Sequence, residues 1–92
     1  MLHFFFERTR AKIKIKLDFT DIYDFVKATT SISNNVNLVQ GQMVSSGKSI
    51  MGIYALDLSK PIELIVYDRS NDDVIYSKFG KWLINDEGKE QI

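Results

Sequence analysis

Hydrophobic and polar residues alternate most clearly between Ala11 and Leu17, where we predict the first strand. Lysines at positions 12, 14 and 16 are separated by apolar residues at positions 13, 15 and 17. This two-residue period is typical of a strand with one buried and one solvated face. An anion-binding stripe would use the same lysines, but a solvated strand face is the simpler interpretation.

After Asp18 and Phe19 the spacing of apolar residues changes from two to the three or four typical of a helix, which predicts a helix over Asp21–Thr30. Thr20 or Asp21 can cap this helix, and Asp21 and Asp24 place negative charge in its first turn, where the helix dipole favours it. The apolar residues that share one face of the predicted helix are Ile22, Phe25 and Val26.

Short apolar runs separated by polar, turn-like segments follow. Val36–Gly41 predicts a second strand, and Gln42–Ser45 predicts a short partner strand. Ser46 or Ser49 can cap a helix of two or three turns that follows. Ile62–Tyr67 is almost continuously apolar, so we predict a strand with a central place in the sheet.

An amphipathic stripe predicts a last helix, weakened slightly by Gly80. The stripe consists of Ile75, Phe79, Trp82 and Leu83. The resulting order of elements is β-α-β-β-α-β-α. It predicts one α+β domain over residues 1–92, in which three helices cover one face of a four-stranded antiparallel sheet.

The composition of the chain argues against several classes of function. The chain has 92 residues, and 12 basic residues balance 12 acidic ones, so no overall field favours nucleic acid or anionic lipid. Cysteine is absent, which excludes disulfides and thiolate metal sites. The apolar run at the start ends after Phe6, too short for a signal peptide or a membrane span. We therefore expect a cytoplasmic protein that binds neither nucleic acid nor membrane.

One segment carries a family resemblance. The sequence Ser-Gly-Lys-Ser-Ile-Met-Gly-Ile-Tyr-Ala-Leu over Ser46–Leu56 resembles the signature around the regulatory serine of HPr, the histidine-containing phosphocarrier of the bacterial sugar phosphotransferase system. The triplet Phe25-Val26-Lys27 resembles one in the first helix of that family. The resemblance spans Ala11 to about Asn85, leaving residues 1–10 as an N-terminal extension, and it implies the open-faced sandwich fold of HPr.

The active-site histidine of the family is missing. Its place within the family motif Gly-Leu-His-Ala-Arg-Pro is taken by Asp18, in Leu17-Asp18-Phe19-Thr20-Asp21. A phosphocarrier needs an imidazole that accepts and releases a phosphoryl group, with positive charge nearby. An acyl phosphate on Asp18 would need a metal held by neighbouring carboxylates, and helix capping explains these aspartates more simply.

Ser49 is the candidate for regulatory phosphorylation. The resemblance implies this role, and a serine at a helix N-terminus, with Lys48 beside it, is a favourable place for a phosphate. The simpler alternative is that Ser49 or Ser46 only caps the helix.

The resemblance also implies that partner proteins dock on the surface formed by the first helix and the short second helix. The matching positions in this chain are Thr20, Lys48, Ile50, Met51 and Tyr54. An exposed patch of isoleucine, methionine and tyrosine suits protein recognition. We expect at least one of those three side chains to lie in the core instead.

These observations predict a histidine-less HPr-like regulatory or adaptor domain, with transferase-system or regulatory proteins and a serine kinase as partners. The alternative is a true phosphocarrier of that system. An enzyme would need a nucleophile with a base or a metal cluster, which we do not find, and no cofactor is predicted. The lone His3 is best explained as an ordinary terminal side chain. Exposed Phe4–Phe6 would favour self-association, so we expect a monomer or a weak homodimer.

Overall fold

The computed structural model describes residues 10–67 and 72–84. The predictions made for His3 and Phe4–Phe6 lie outside these described residues. The strands are β1 (Arg10–Ile15), β2 (Val36–Gln40), β3 (Met43–Ser46) and β4 (Ile62–Tyr67). The helices are α1 (Ile22–Thr30), α2 (Ile50–Tyr54) and α3 (Asp72–Phe79). Two short 3-10 turns, Phe19–Asp21 and Gly80–Trp82, precede α1 and follow α3.

The strands form one open antiparallel sheet in the order β1-β4-β2-β3. The predicted α+β class, the order of elements and the central place of Ile62–Tyr67 are confirmed. β4 is buried at Ile62, Leu64, Ile65 and Val66, as its continuous apolar sequence requires between two neighbouring strands.

One face of the sheet packs against the helices. β1 alternates strictly between exposed and buried residues, so the lysine face is solvated as predicted. Lys12 on that face lies 3.5 Å from Glu63 of β4. The buried residues that form one core between this face and the helices are Ala11, Ile13, Ile15, Leu17, Ile22, Phe25, Val36, Leu38, Ile53, Leu56, Ile62, Leu64, Val66, Ile75, Phe79 and Trp82.

An aromatic cluster closes the core at the end of the described chain. Phe25 of α1 lies 5.8 Å from Phe79 of α3 and 5.2 Å from Trp82, measured between ring centroids. The edge-on arrangement of Phe25 and Trp82 is a favourable geometry for aromatic pairs. The cluster fixes α1 against the end of α3.

Several predicted element ends need correction. The second strand ends at Gln40 rather than Gly41, and the helix after Ser49 has five residues rather than two or three turns. Leu83 does not continue the helical stripe, because the chain leaves the helix after Phe79 and Leu83, 41% exposed, pairs with Ile15 at the edge of β1. The first strand ends at Ile15 rather than Leu17. The third strand is shifted by one residue to Met43–Ser46, because Gly41 and Gln42 form the turn, Gly41 with a φ of 61° that suits glycine.

None of the helices in the described residues is long and apolar enough to cross a membrane.

Candidate functional site

Ser49 is the N-cap of α2. Its Oγ accepts a hydrogen bond from the Gly52 backbone N–H at 3.0 Å, and its extended backbone (φ −112°, ψ 119°) turns the chain into the helix. Gly52 also lies close to β3, where an added Cβ would meet Ser45 Cβ at 3.3 Å. The glycine therefore allows α2, only five residues long, to approach the sheet. Ser49 itself remains partly exposed.

The loop that carries Ser49 is tied to α1 from two sides. The buried Thr29 Oγ1 donates a hydrogen bond to the Gly47 carbonyl at 2.8 Å. Lys48 Nζ donates to the Ile32 carbonyl at 2.9 Å, just beyond the end of α1, where a helix favours positive charge. Both contacts join residues far apart in sequence, so they hold the Ser49 loop in a defined position against α1.

The serine at position 46 has a local role. Ser46 Oγ accepts a hydrogen bond from the Lys48 backbone N–H at 3.1 Å, within the turn that precedes α2. The expectation that Ser46 or Ser49 begins the helix is thus resolved in favour of Ser49, because only the Ser49 side chain caps α2.

Four exposed apolar side chains lie around Ser49 and the start of α1. We call these four residues the apolar surface: Phe19, Ile50, Met51 and Tyr54. Met51 is 77% exposed and Phe19 is 68% exposed. The rings of Phe19 and Tyr54 lie 5.5 Å apart between centroids, which joins the turn before α1 to α2.

The expectation that Ile50, Met51 or Tyr54 belongs to the core is wrong. All three are exposed, and Ile53 is the residue of α2 that is fully buried. A helix of five residues offers little more than one turn, so one inward residue with the close approach of Gly52 is enough to dock it. The sequence pattern also did not identify Phe19 as part of this surface. Asp18 and Asp21, which lie close to it in sequence, indicated only the start of a helix.

Asp18 and Thr20 lie exposed at the start of the 3-10 turn. The Asp18 backbone N–H donates to Asp21 Oδ2 at 2.8 Å, and the Asp18 carbonyl accepts from the Asp21 backbone N–H at 2.9 Å. Asp21, one of the two predicted caps, is the N-cap residue of α1 by position, but its side chain makes no capping hydrogen bond to that helix. Its carboxylate secures the preceding turn instead. Because the Asp21 carboxylate accepts from the Asp18 backbone N–H, that amide is not free to bind a phosphate.

Two other features bear on whether the described residues form a ligand pocket or a metal site. An open, polar cleft of about 370 Å³ is lined by Asn35, Val36, Asn37, Ser46, Lys48 and Tyr67. In residues 10–67 and 72–84, no group of three histidine, cysteine or carboxylate side chains is placed to hold a metal ion. Of the predicted site residues, Lys48, Ile50, Met51 and Tyr54 lie on or just before α2. The ring contact between Phe19 and Tyr54 joins α2 to the turn that carries Asp18 and Thr20.

Comparisons with protein-family models, with curated proteins and with solved structures found no match to this chain.

Proposed function

We propose that this chain is a histidine-less, HPr-like regulatory or adaptor domain that binds proteins through the apolar surface and is switched by phosphorylation of Ser49. The observation that carries the proposal is the position of Ser49, which caps α2 directly before the exposed side chains of Ile50 and Met51. A modification there changes the charge of a surface suited to protein recognition.

The HPr-like assignment rests on the Ser46–Leu56 sequence and on the order of elements. An open four-stranded antiparallel sheet with three helices is compatible with the sandwich that the resemblance implies. Ile50, Met51 and Tyr54, the positions predicted to bind partners, are exposed, and Thr20 is adjacent in sequence to Phe19 of the apolar surface. These observations support the assignment without depending on a catalytic residue.

The proposed switch has an electrostatic basis: a phosphate on Ser49 competes with a backbone carbonyl for the Lys48 ammonium group. A phosphate on Ser49 adds close to two negative charges at neutral pH and three acceptor oxygens. Lys48, the adjacent cation, is held by the Ile32 carbonyl, and the phosphate competes for it. The same group introduces a strongly hydrated anion beside Ile50 and Met51, which disfavours an apolar partner and favours one that presents arginine or lysine.

The first experiment is phosphorylation in vitro. We expect incubation with ATP and the bifunctional kinase that modifies the regulatory serine of HPr proteins to add one phosphoryl group, which peptide mapping assigns to Ser49. Ser49→Ala removes the modification, whereas the matched variant Ser46→Ala retains it. A protein that stays unmodified, or is modified elsewhere, contradicts the switch.

The second experiment tests the apolar surface. Immobilised wild-type protein, Met51→Asp and the control Val74→Asp are used as baits, and the captured proteins are quantified by mass spectrometry. Val74 is exposed on α3, a helix that contributes no residue to the apolar surface, so its variant should retain every specific partner. We expect Met51→Asp to lose them, and equal capture by all three baits contradicts the proposed surface.

The phosphocarrier alternative has a separate test. Incubation with phosphoenolpyruvate and the first enzyme of the phosphotransferase system would place an acid-labile phosphate on a carrier. We expect none, because the carboxylates of Asp18 and Asp21 stand where the carrier chemistry needs an imidazole and positive charge. An acid-labile phosphate on this chain would favour the carrier.

A further inference from the structure

The two edges of the sheet are protected differently. The last part of the β1 edge is covered by the segment after α3: Lys16 N–H donates to the Trp82 carbonyl at 2.9 Å, and Ile84 N–H donates to the Lys14 carbonyl at 3.0 Å. Lysines also line β1, and charge on an edge strand discourages association. At the other edge, no strand within the described residues pairs with the outer side of β3.

The segment that forms the β3 edge lacks charge. Charged residues make up 26% of the chain, yet none occurs between Ala28 and Gly47. Within β3, Met43 and Val44 are exposed, Val44 to 63%. Proteins usually guard exposed edges with lysine, proline or a bulge, and the sequence Met-Val-Ser-Ser of β3 contains no charge and no proline.

The backbone groups of Val44 are directed outward. Gln40 and Met43 pair across the two-residue turn, and the residues that flank such a turn bond to each other. Because bonded and non-bonded pairs alternate along antiparallel strands, the N–H and C=O of Val44 point away from β2. The Ser46 carbonyl accepts from the Ser49 N–H at 3.4 Å, so Val44 is the centre of the open edge.

We propose that the β3 edge pairs with β3 of a second copy of this chain, in an antiparallel arrangement that joins two four-stranded sheets into one of eight strands. The pairing is self-complementary about a two-fold axis, and two copies of an uncharged strand meet without repulsion. Val44 lies near the axis and packs close to its counterpart, as neighbouring side chains on one sheet face do. The contact is small, so the dissociation constant is expected between about 10 μM and 1 mM.

The test is the weight-average mass by light scattering as a function of concentration. We expect the mass of the wild-type protein to rise toward twice the chain mass, whereas Val44→Lys stays monomeric at every concentration. Val74→Lys, which places the same charge on an exposed apolar position of α3, should behave like the wild type. A monomeric wild type, or a Val44→Lys variant that associates as well as the wild type, overturns the proposal.

Hydrogen exchange provides a measurement without substitution. We expect the Val44 amide to exchange several-fold more slowly at high than at low protein concentration, since it gains a partner only in the dimer. The amides of Met43 and Ser45 face β2 and should change less. A Val44 amide whose exchange is independent of concentration overturns self-pairing, and the edge would then be open to an extended segment of a different protein.

Discussion

A buried hydroxyl, that of Thr29, joins the first helix to the loop that carries Ser49. Thr29 is fully buried and donates to the Gly47 carbonyl at 2.8 Å, while the Val26 carbonyl of its own helix lies 3.1 Å from the same Oγ1. Valine has nearly the same shape but cannot donate. Thr29→Val therefore leaves the Gly47 carbonyl without its long-range partner, and a buried unsatisfied acceptor costs about 1–3 kcal/mol.

The measurement for Thr29→Val is the free energy of unfolding in denaturant. Thr30→Val is the matched control, because Thr30 is exposed and its Oγ1 contacts only carbonyls of its own helix. We expect the control to change stability by no more than about 0.5 kcal/mol. Equal losses in the two variants would show that the effect comes from valine in a helix and not from the bond to Gly47.

The Ser49 hydroxyl has a structural contribution that can be separated from its proposed modification. Ser49→Ala removes the bond to the Gly52 N–H and should lower the free energy of unfolding by about 1 kcal/mol, as other cap deletions do. Ser49→Asp retains a cap acceptor and should stay within about 0.5 kcal/mol of the wild type. If Ser49→Asp unfolds as easily as Ser49→Ala, the carboxylate does not replace the cap, and the variant cannot be used to imitate the phosphorylated state.

Residue roles that depend on near neighbours in sequence were predictable, and roles that depend on packing were not. Local sequence limited the cap of α2 to Ser46 or Ser49, and the structure shows that it is Ser49. The exposure of Ile50, Met51 and Tyr54 depends instead on how α2 rests on β3, which the sequence pattern does not specify. The bonds of Thr29 and Lys48 to distant carbonyls carry no signal in a single sequence.

At the scale of elements, the close approach of the Ser49 loop to β2 depends on Gly47. A Cβ added at Gly47 would lie 2.4 Å from Val36 Cγ1, a separation that real atoms do not tolerate. Gly47 N–H also donates to the Val36 carbonyl at 2.8 Å, so the loop cannot simply move away. We expect Gly47→Ala to lower the free energy of unfolding by about 1–3 kcal/mol through overpacking.

A double-mutant cycle identifies the cause of that loss. Val36→Ala removes Cγ1 and creates a cavity of its own, but together with Gly47→Ala it relieves the clash. The double variant should lose less than the sum of the single losses, by about 1 kcal/mol. Gly80→Ala is the control, because nothing lies within 4 Å of its added Cβ. Additive losses for Gly47 and Val36 would exclude the clash as the explanation.

Element types were easier to predict than element ends. Strict alternation identified β1, and a continuous apolar run identified β4 as a central strand. The apolar stripe gave a partly wrong prediction at the end of α3. Trp82 belongs to the core as the stripe predicts, but Leu83 pairs with the edge of β1. The spacing of apolar residues in this segment fits a continued helix almost as well as a 3-10 turn followed by a strand bridge. The pairing of Leu83 with Ile15, which is a tertiary contact, selects the second arrangement.

At the scale of the molecule, Trp82 connects regions that are far apart in sequence. Its ring contacts Phe25 and Phe79, and its carbonyl accepts from the Lys16 N–H beside β1. Helices α1 and α3 therefore share one aromatic cluster, and the backbone hydrogen bond from Lys16 to Trp82 joins that cluster to the edge of the sheet. A domain of this size with one core is expected to unfold in a single cooperative step, and Trp82 is the only tryptophan in the chain, so its fluorescence reports on that step.

Phe79→Leu tests whether this cluster belongs to the cooperative unit. Removing the fully buried ring of Phe79 should lower the free energy of unfolding by about 1–3 kcal/mol, from lost packing and lost aromatic contacts. Tyr76→Leu on the same helix, where the side chain is exposed, should cost about 0.5 kcal/mol or less.

We expect tryptophan fluorescence and far-ultraviolet circular dichroism to give coincident denaturant transitions in both variants and in the wild type. A Trp82 transition at lower denaturant than the loss of secondary structure would mean that α3 and the turn after it open before the sheet, and the edge of β1 would then be exposed in a partly unfolded state.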